Sequence, residues 1–212
     1  TKFFGIISHD LRGPIARLVN FLHLQQEAPA MLTEEQKQLH QQKIAASAQA
    51  LLDNIDSLLL WSKGQMERFQ TEKKNIPVSD LFDHIANFFR SAEGIQFDFS
   101  SPPQLTVLSD ENYLQTIMQN LTANSIGVLT QPGKKTIAWK AWTANNKTYI
   151  SITDNGPGFP ENLTSDFNNY NEPIQGRTGL GLFIIHDLAK AIGCKIERMN
   201  TGSGSATVLQ FR

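Results

Sequence analysis

Tyr149-Ile150-Ser151-Ile152-Thr153-Asp154-Asn155-Gly156-Pro157-Gly158-Phe159 sets a strand against an abrupt stop. Tyr149 to Thr153 is rich in β-branched and aromatic residues and alternates with polar ones, which predicts a strand. Asp, Asn, Gly and Pro dominate turns, so one reading of Asp154 to Gly158 is a plain connection between strands. The other reading is chemical. A buried carboxylate at a strand end can accept a hydrogen bond from an amine such as the N6 group of adenine. Two glycines after it let the backbone approach a ligand closely. On this stretch alone both readings stay open.

Working outward, Thr136 to Thr143 reads as a second strand, joined to the first by a hairpin turn at Asn145-Asn146. Upstream, Ser79 opens a helix with Leu81, Phe82, Ile85, Phe88 and Phe89, and Ile95 to Phe99 alternates as a strand. Asp110 starts another helix through Leu114, Ile117, Met118 and Leu121. Downstream, Gly179 to Ile192 reads as a helix, and two strand-like pieces flank Ser203-Gly204. Helices mixed with largely hairpin-connected strands predict an α+β sandwich.

The N-terminal third has a different texture. Phe4, Ile7, Leu11, Pro14, Leu18 and Phe21 form a heptad-like seam, widened by Ile15 and Leu22. A second helix opens at Thr33, with Gln36 placed to complete a capping box. Its seam runs through Ile44, Ala48, Leu51, Ile55 and Leu58, broadened by Leu52 and Leu59. Two such helices make an antiparallel hairpin, which alone buries too little to be stable. Pairing two hairpins into a four-helix bundle solves this, so a homodimer is expected. The alternative is packing of the hairpin on its own chain.

The 212 residues suit one large domain or two small ones. The boundary is expected at a hairpin over 1–70 and a second domain over 71–212. A net charge of −1 predicts no polyelectrolyte attraction to nucleic acid or membrane. Cys194 is the single cysteine, which excludes an internal disulfide and fits a small buried apolar residue. No apolar run reaches the roughly 18 residues of a membrane-spanning helix. Thr1 to Ile7 lead into a helical pattern without a cap, which suggests that an upstream part is missing.

Three further groups carry chemistry. His9 falls opposite the heptad seam and should face solvent, with Asp10 beside it and Pro14 in the same helix. Proline collides with the carbonyl of Asp10, so a bend is expected there. A carboxylate next to an imidazole can hold its tautomer and accept its proton, as attack on phosphorus requires. Gly176-Arg177-Thr178-Gly179-Leu180-Gly181-Leu182 runs into a helix, whose free N–H groups and positive dipole end suit a phosphate. No Gly-Lys-Ser/Thr comes after it, so it is not a P-loop. Asn120 and Asn124 are four apart and share a helix face, where amides can offer oxygens to Mg²⁺ and nitrogens to phosphates.

In this order the groups resemble the histidine-kinase family. Ser8-His9-Asp10-Leu11-Arg12-Gly13-Pro14-Ile15 is similar to its phosphoacceptor box and Asn120 to Asn124 to its N box. Asp154 to Gly158 and Thr178 to Leu182 resemble its two glycine boxes, and Gly202-Ser203-Gly204-Ser205 its last glycine turn. Trp61-Ser62-Lys63-Gly64-Gln65 is similar to a helix ending in a subgroup of Bacteroidetes sensor kinases. The resemblance implies a dimerisation and phosphotransfer hairpin followed by an α/β sandwich shared with DNA gyrase and MutL. It implies ATP and Mg²⁺ as ligands, with His9 and Asp10 catalytic. Asn120, Asn124, Asp154, Gly156, Gly158, Thr178, Gly179, Leu180, Gly181 and Ser205 would hold the nucleotide, Asn124 also the metal. The implied partner is a response-regulator receiver domain. The implied setting is the cytoplasmic portion of a membrane-bound receptor, attached only through an upstream sensor region.

Three departures qualify this. Gly127 and Val128 stand where the family carries a cation and then an aromatic ring. Each loss is expected to weaken ATP binding by about a kilocalorie per mole or more. Arg177, where the family often has glycine, offers some positive charge in return. Glu161 to Gln175, the expected lid over ATP, lacks a clear aromatic box beyond Phe167 and Tyr170, and is expected to be mobile without nucleotide. Gly13 replaces a Thr or Asn thought to position the water that dephosphorylates the partner. The kinase reading has two rivals. A non-catalytic relay or scaffold fits Gly127 and Val128. An ATPase of the gyrase or MutL kind needs a Glu where this chain has Asn120, and an amide is a poor base.

Overall fold

The computed structural model describes residues 11–16, 18–23, 33–66, 70–159 and 180–212. His9, Asp10, Thr178, Gly179 and the expected lid lie outside these residues.

Helical residues 11–16 and 18–23 form α1, followed by α2 over Glu34–Met66. The capping box at the start of α2 is made as expected. Thr33 N donates to Gln36 Oε1 at 3.0 Å, and Gln36 N donates to Thr33 Oγ1 at 3.2 Å. Phe21 of α1 meets His40 of α2, ring centroids 5.5 Å apart. The seam residues Leu11, Leu18, Phe21, Ile44, Ala48, Leu51 and Leu58 are half-buried and Pro14 is buried. Ile15, Val19, Leu22, Leu52, Ile55 and Leu59 are exposed large hydrophobics. One chain therefore half-buries most of the described seam but leaves the seam residue Ile55 and the broadening residues outward, which suits a bundle completed by a second hairpin; Phe4 and Ile7 lie outside the described residues.

The rest of the chain is an α/β sandwich. Its strands are β1 (Lys73–Pro77), β2 (Ile95–Ser100), β3 (Thr106–Asp110), β4 (Lys135–Ala144), β5 (Lys147–Asp154), β6 (Lys195–Thr201) and β7 (Gly204–Phe211). Its helices are α3 (Val78–Phe88), α4 (Glu111–Val128) and α5 (Leu180–Ile192). The main sheet has the order β2-β4-β5-β7-β6. Asn145 and Asn146 both take positive φ, 50° and 60°, in the predicted β4–β5 turn.

Two features differ from the sequence reading. The sheet is mixed, because β2 and β4 pair in parallel, with α4 in the long connection between them. β1 and β3 form a separate antiparallel pair that periodicity did not reveal. Only Ile76 of β1 is buried, so no alternation marks that strand.

Leu81, Ile85, Leu114, Ile117, Trp139, Ile150, Ile184 and Leu188 belong to one core between sheet and helices. Trp139 Nε1 donates to Thr122 Oγ1 at 3.2 Å, which satisfies the indole inside that core. Asp110 caps α4 by accepting from Tyr113 N at 3.1 Å. Cys194 is buried, and burial holds its thiol protonated well above the usual range. Among the described residues no helix is long and apolar enough to cross a membrane.

Candidate functional site

Asp154 ends β5 and is 9% exposed. A buried charge must be hydrogen-bonded, and this one is. Oδ2 accepts from Ser125 Oγ at 2.9 Å and from Ser205 Oγ at 2.7 Å. Oδ1 accepts from Gly156 N at 3.0 Å. Ser125 comes from α4, Ser205 from β7, and Gly156 from the loop itself. Two elements remote in sequence and the adjoining loop therefore converge on one side chain.

The loop after Asp154 is held from both sides. Asn155 Nδ2 donates to Lys134 O at 2.7 Å, and its Oδ1 accepts from Thr136 N at 2.9 Å. Asn200 accepts from Phe159 N at 2.6 Å and donates to Phe159 O at 2.9 Å. Gly158 has φ of 85°, and a Cβ there would stand 2.9 Å from Asn200 Oδ1. Gly204 is tighter still, since a Cβ there would collide with the Asp154 carbonyl. Gly204→Ala is expected to cost about 2 kcal/mol or more, read as a drop in melting temperature. An unchanged melting temperature would contradict this packing.

A cavity of about 220 Å³ opens beside Asp154. Leu121, Asn124, Ser125 and Val128 of α4 form one wall, with Leu182 of α5 also lining it. Ile152, Asp154, Ser205, Thr207 and Arg198 come from the sheet, and Gly158 and Phe159 from the loop. The Arg198 guanidinium carbon sits 4.9 Å from the Phe159 ring centroid. Burial lowers the Arg198 pKa to about 10, so it stays charged at neutral pH. The expected loss of a cation and a ring at Gly127 and Val128 is thus set beside a guanidinium and a ring from other elements. A recess of about 300 Å³ between α2 and α4 has Asp53 and Asp56 on its walls, charges that oppose a phosphate.

The sequence-predicted residues divide into two sets. Asn124, Asp154, Gly158 and Ser205 line the cavity, and Gly156 sits against Asp154 Oδ1 and Val128. Asn120 is turned elsewhere. Its amide donates to Thr116 O at 2.9 Å and to Ser57 Oγ of α2 at 3.4 Å. A Cβ on Gly181 would come within 2.8 Å of Asn120 Oδ1, so glycine lets the first turn of α5 approach α4. Ser125, Phe159, Thr207 and Arg198 were not singled out from sequence. Adjacency to Asn124 and Gly158 was the only available signal for Ser125 and Phe159.

The hairpin also reaches this region. Trp61 Nε1 of α2 donates to Asp187 Oδ2 at 2.9 Å, and its ring meets Phe183 edge-on at 5.5 Å. Among the described residues no cluster of three or more His, Cys, Asp or Glu is assembled. A divalent ion here would rest on the Asn124 amide oxygen and on the oxygens of its own ligand. That donor set fits a hard cation carried in with phosphates rather than one caged by protein.

Residues 1–67 match the family described as His Kinase A (phospho-acceptor) domain. Residues 109–212 match the family described as histidine kinase-, DNA gyrase B-, and HSP90-like ATPase. The chain is 28% identical over 170 residues to the adaptive-response sensory kinase SasA of Synechocystis, covering 75% of this chain and 43% of that protein. It thus spans less than half the length of this curated relative. Among solved structures it is similar to Acinetobacter baumannii histidine kinase AdeS, with TM-score 0.64, 18% identity and 96% of each chain covered. It is also similar to histidine kinase ThkA in complex with response regulator protein TrrA, with TM-score 0.62 and 18% identity over 100% of this chain and 61% of that one. At these identities the solved structures speak to the fold.

Proposed function

The chain belongs to the histidine kinases, a phosphoacceptor domain joined to an ATPase-type domain, and from that premise we propose that residues 71–212 bind Mg-ATP and phosphorylate His9 on the hairpin of residues 1–70. The observation that carries the nucleotide reading is the Asp154 carboxylate, fixed by Ser125, Ser205 and Gly156 at one cavity wall. Its remaining acceptor capacity suits an exocyclic amine, which adenine offers and guanine does not offer at the same place. The cavity, about 220 Å³, is smaller than the roughly 300 Å³ and upward of whole-ligand sites. It matches the base, with ribose and phosphates extending toward exposed Asn124 and the second glycine box.

In this reading Thr178, Gly179, Leu180 and Gly181 offer N–H groups to the phosphates at the start of α5. Asn124 supplies an oxygen to Mg²⁺, which neutralises phosphate charge when bound. Asn120 acts at one remove, by holding the first turn of α5 against α4 and α2. A ring nitrogen of His9 bonds to the γ-phosphorus as the bond to the bridging oxygen breaks, and ADP leaves. The ring's other proton passes toward Asp10. Positioning and charge neutralisation supply most of the rate.

The phosphoramidate so formed is reactive and suits transfer to an aspartate on a response-regulator receiver domain. The hairpin's exposed apolar residues suit a homodimer, and the Trp61 to Gln65 ending suits the Bacteroidetes-like subgroup. The chain would serve as the catalytic core of a membrane-attached sensor kinase. A phosphate-release assay separates this from an ATPase. The kinase reading predicts labelling that stops at one phosphate per acceptor, and no continuing release once His9 is replaced. Continuing release from that variant would favour hydrolysis.

Gly13 predicts the balance of activities. It lies four positions after His9, in helical residues 11–16, without a side chain to orient a water. Glycine also loosens the helix beside Pro14 by roughly 1 kcal/mol relative to alanine. Gly13→Thr is expected to raise phosphatase activity, measured as decay of a phosphorylated receiver domain with ADP present. Rapid stimulated decay by the unaltered chain would contradict this.

A further inference from the structure

The sheet side of the cavity is two rows deep. In the outer row Asp154, Ser205 and Asn200 are cross-strand partners on β5, β7 and β6, of which Asp154 and Ser205 line the cavity. In the inner row Ile152, Thr207 and Arg198 are partners on the same strands. Successive same-face residues on a strand are about 7 Å apart. The Arg198 backbone therefore stands at the level of Ile152, one row in from Asp154. Arg198 is only 7% exposed. Holding a guanidinium this far from water is costly, and here the cost is met at a cavity wall.

Its orientation is fixed from behind. The guanidinium lies over the Phe159 ring, and Phe159 is clamped by two backbone bonds to Asn200. Asn200 and Arg198 are on the same strand and the same face, so one strand sets both the ring and the cation above it. Across the cavity stands Val128, an aliphatic side chain that cannot stack on a base.

We propose that Arg198 is a base-binding residue of the nucleotide pocket, its guanidinium stacking on the heterocycle with Phe159 behind it. The planar, weakly hydrated guanidinium is the one cation suited to such a face-to-face contact. Asp154 then reads the exocyclic amine and Arg198 holds the ring plane. The proposal rests on the nucleotide reading above.

The test is competition calorimetry on the 212-residue chain with ADP and with adenosine. Arg198→Met keeps the length and removes the plane and charge. It is expected to weaken ADP and adenosine alike, by about tenfold. Arg198→Lys keeps the charge, loses the plane, and is expected to recover little of that loss. It also stands in if the methionine variant fails to fold. A loss confined to ADP would mean a phosphate contact and would overturn the proposal. So would unchanged affinity for both ligands in a chain that Asp154→Asn weakens, which would leave the nucleotide reading standing. If the unaltered chain binds neither ligand, the nucleotide reading falls and this proposal with it.

Discussion

Asp154→Asn is expected to lower affinity for adenine nucleotides by about a hundredfold or more. The carboxylate accepts from Ser125 Oγ, Ser205 Oγ and Gly156 N. An amide has one accepting atom and one donating atom in their place. The serine hydroxyls can turn to accept from the new NH₂ group, but the Gly156 N–H can only donate. The amide oxygen must therefore face Gly156, and the nitrogen faces the hydroxyls. The acceptor that an adenine amine needs is then weakened from a charged oxygen to a neutral one already in use. Hydrogen bonds to a charged partner contribute about 1.5–3 kcal/mol, and each 1.4 kcal/mol is a factor of ten. Preference for adenine over guanine should fall with the affinity. Calorimetry with ADP and GDP reads both. Retained affinity and retained preference would remove Asp154 from the site.

His9→Gln is expected to abolish phosphoryl incorporation while leaving ADP affinity and melting temperature unchanged. Glutamine is a good helix former of similar length, so the hairpin should tolerate it. Its amide nitrogen has no available lone pair for attack on phosphorus. Asp10→Asn should slow labelling without abolishing it, because the carboxylate assists proton removal and does not form the new bond. Residual acid-labile label on the His9 variant would show that another side chain is the acceptor.

Legibility in the sequence tracked the range of the interaction. The Thr33–Gln36 capping box and the Asn145-Asn146 turn are local chemistry, and both are built as read. Asp154 was legible only in company, because its own stretch reads equally as a turn and the order of the four motifs is what favoured a binding carboxylate. Ser125 and Ser205 converge on it only through tertiary contact, and only Ser205 lay in a motif. β1 stayed hidden because Lys73, Lys74, Asn75 and Pro77 are exposed around the single buried Ile76. The parallel β2–β4 pair depends on register between segments separated by α4, which no period reports. Asn120 and Asn124 share a spacing but not a destination. The first faces Ser57 of α2 and Gly181 of α5, and the second lines the cavity. Arg198 was invisible for a further reason. A lone arginine in a strand is usually on the solvent side, and nothing local turns it inward.

The most direct test of the central claim is incubation of the chain with Mg²⁺ and γ-labelled ATP, then acid and alkali treatment and mapping of the labelled peptide. A histidine kinase core predicts label that is lost in acid, survives alkali, maps to His9, and is not obtained from α-labelled ATP. Acid-stable label, or no label from a chain that binds ADP tightly, would contradict it.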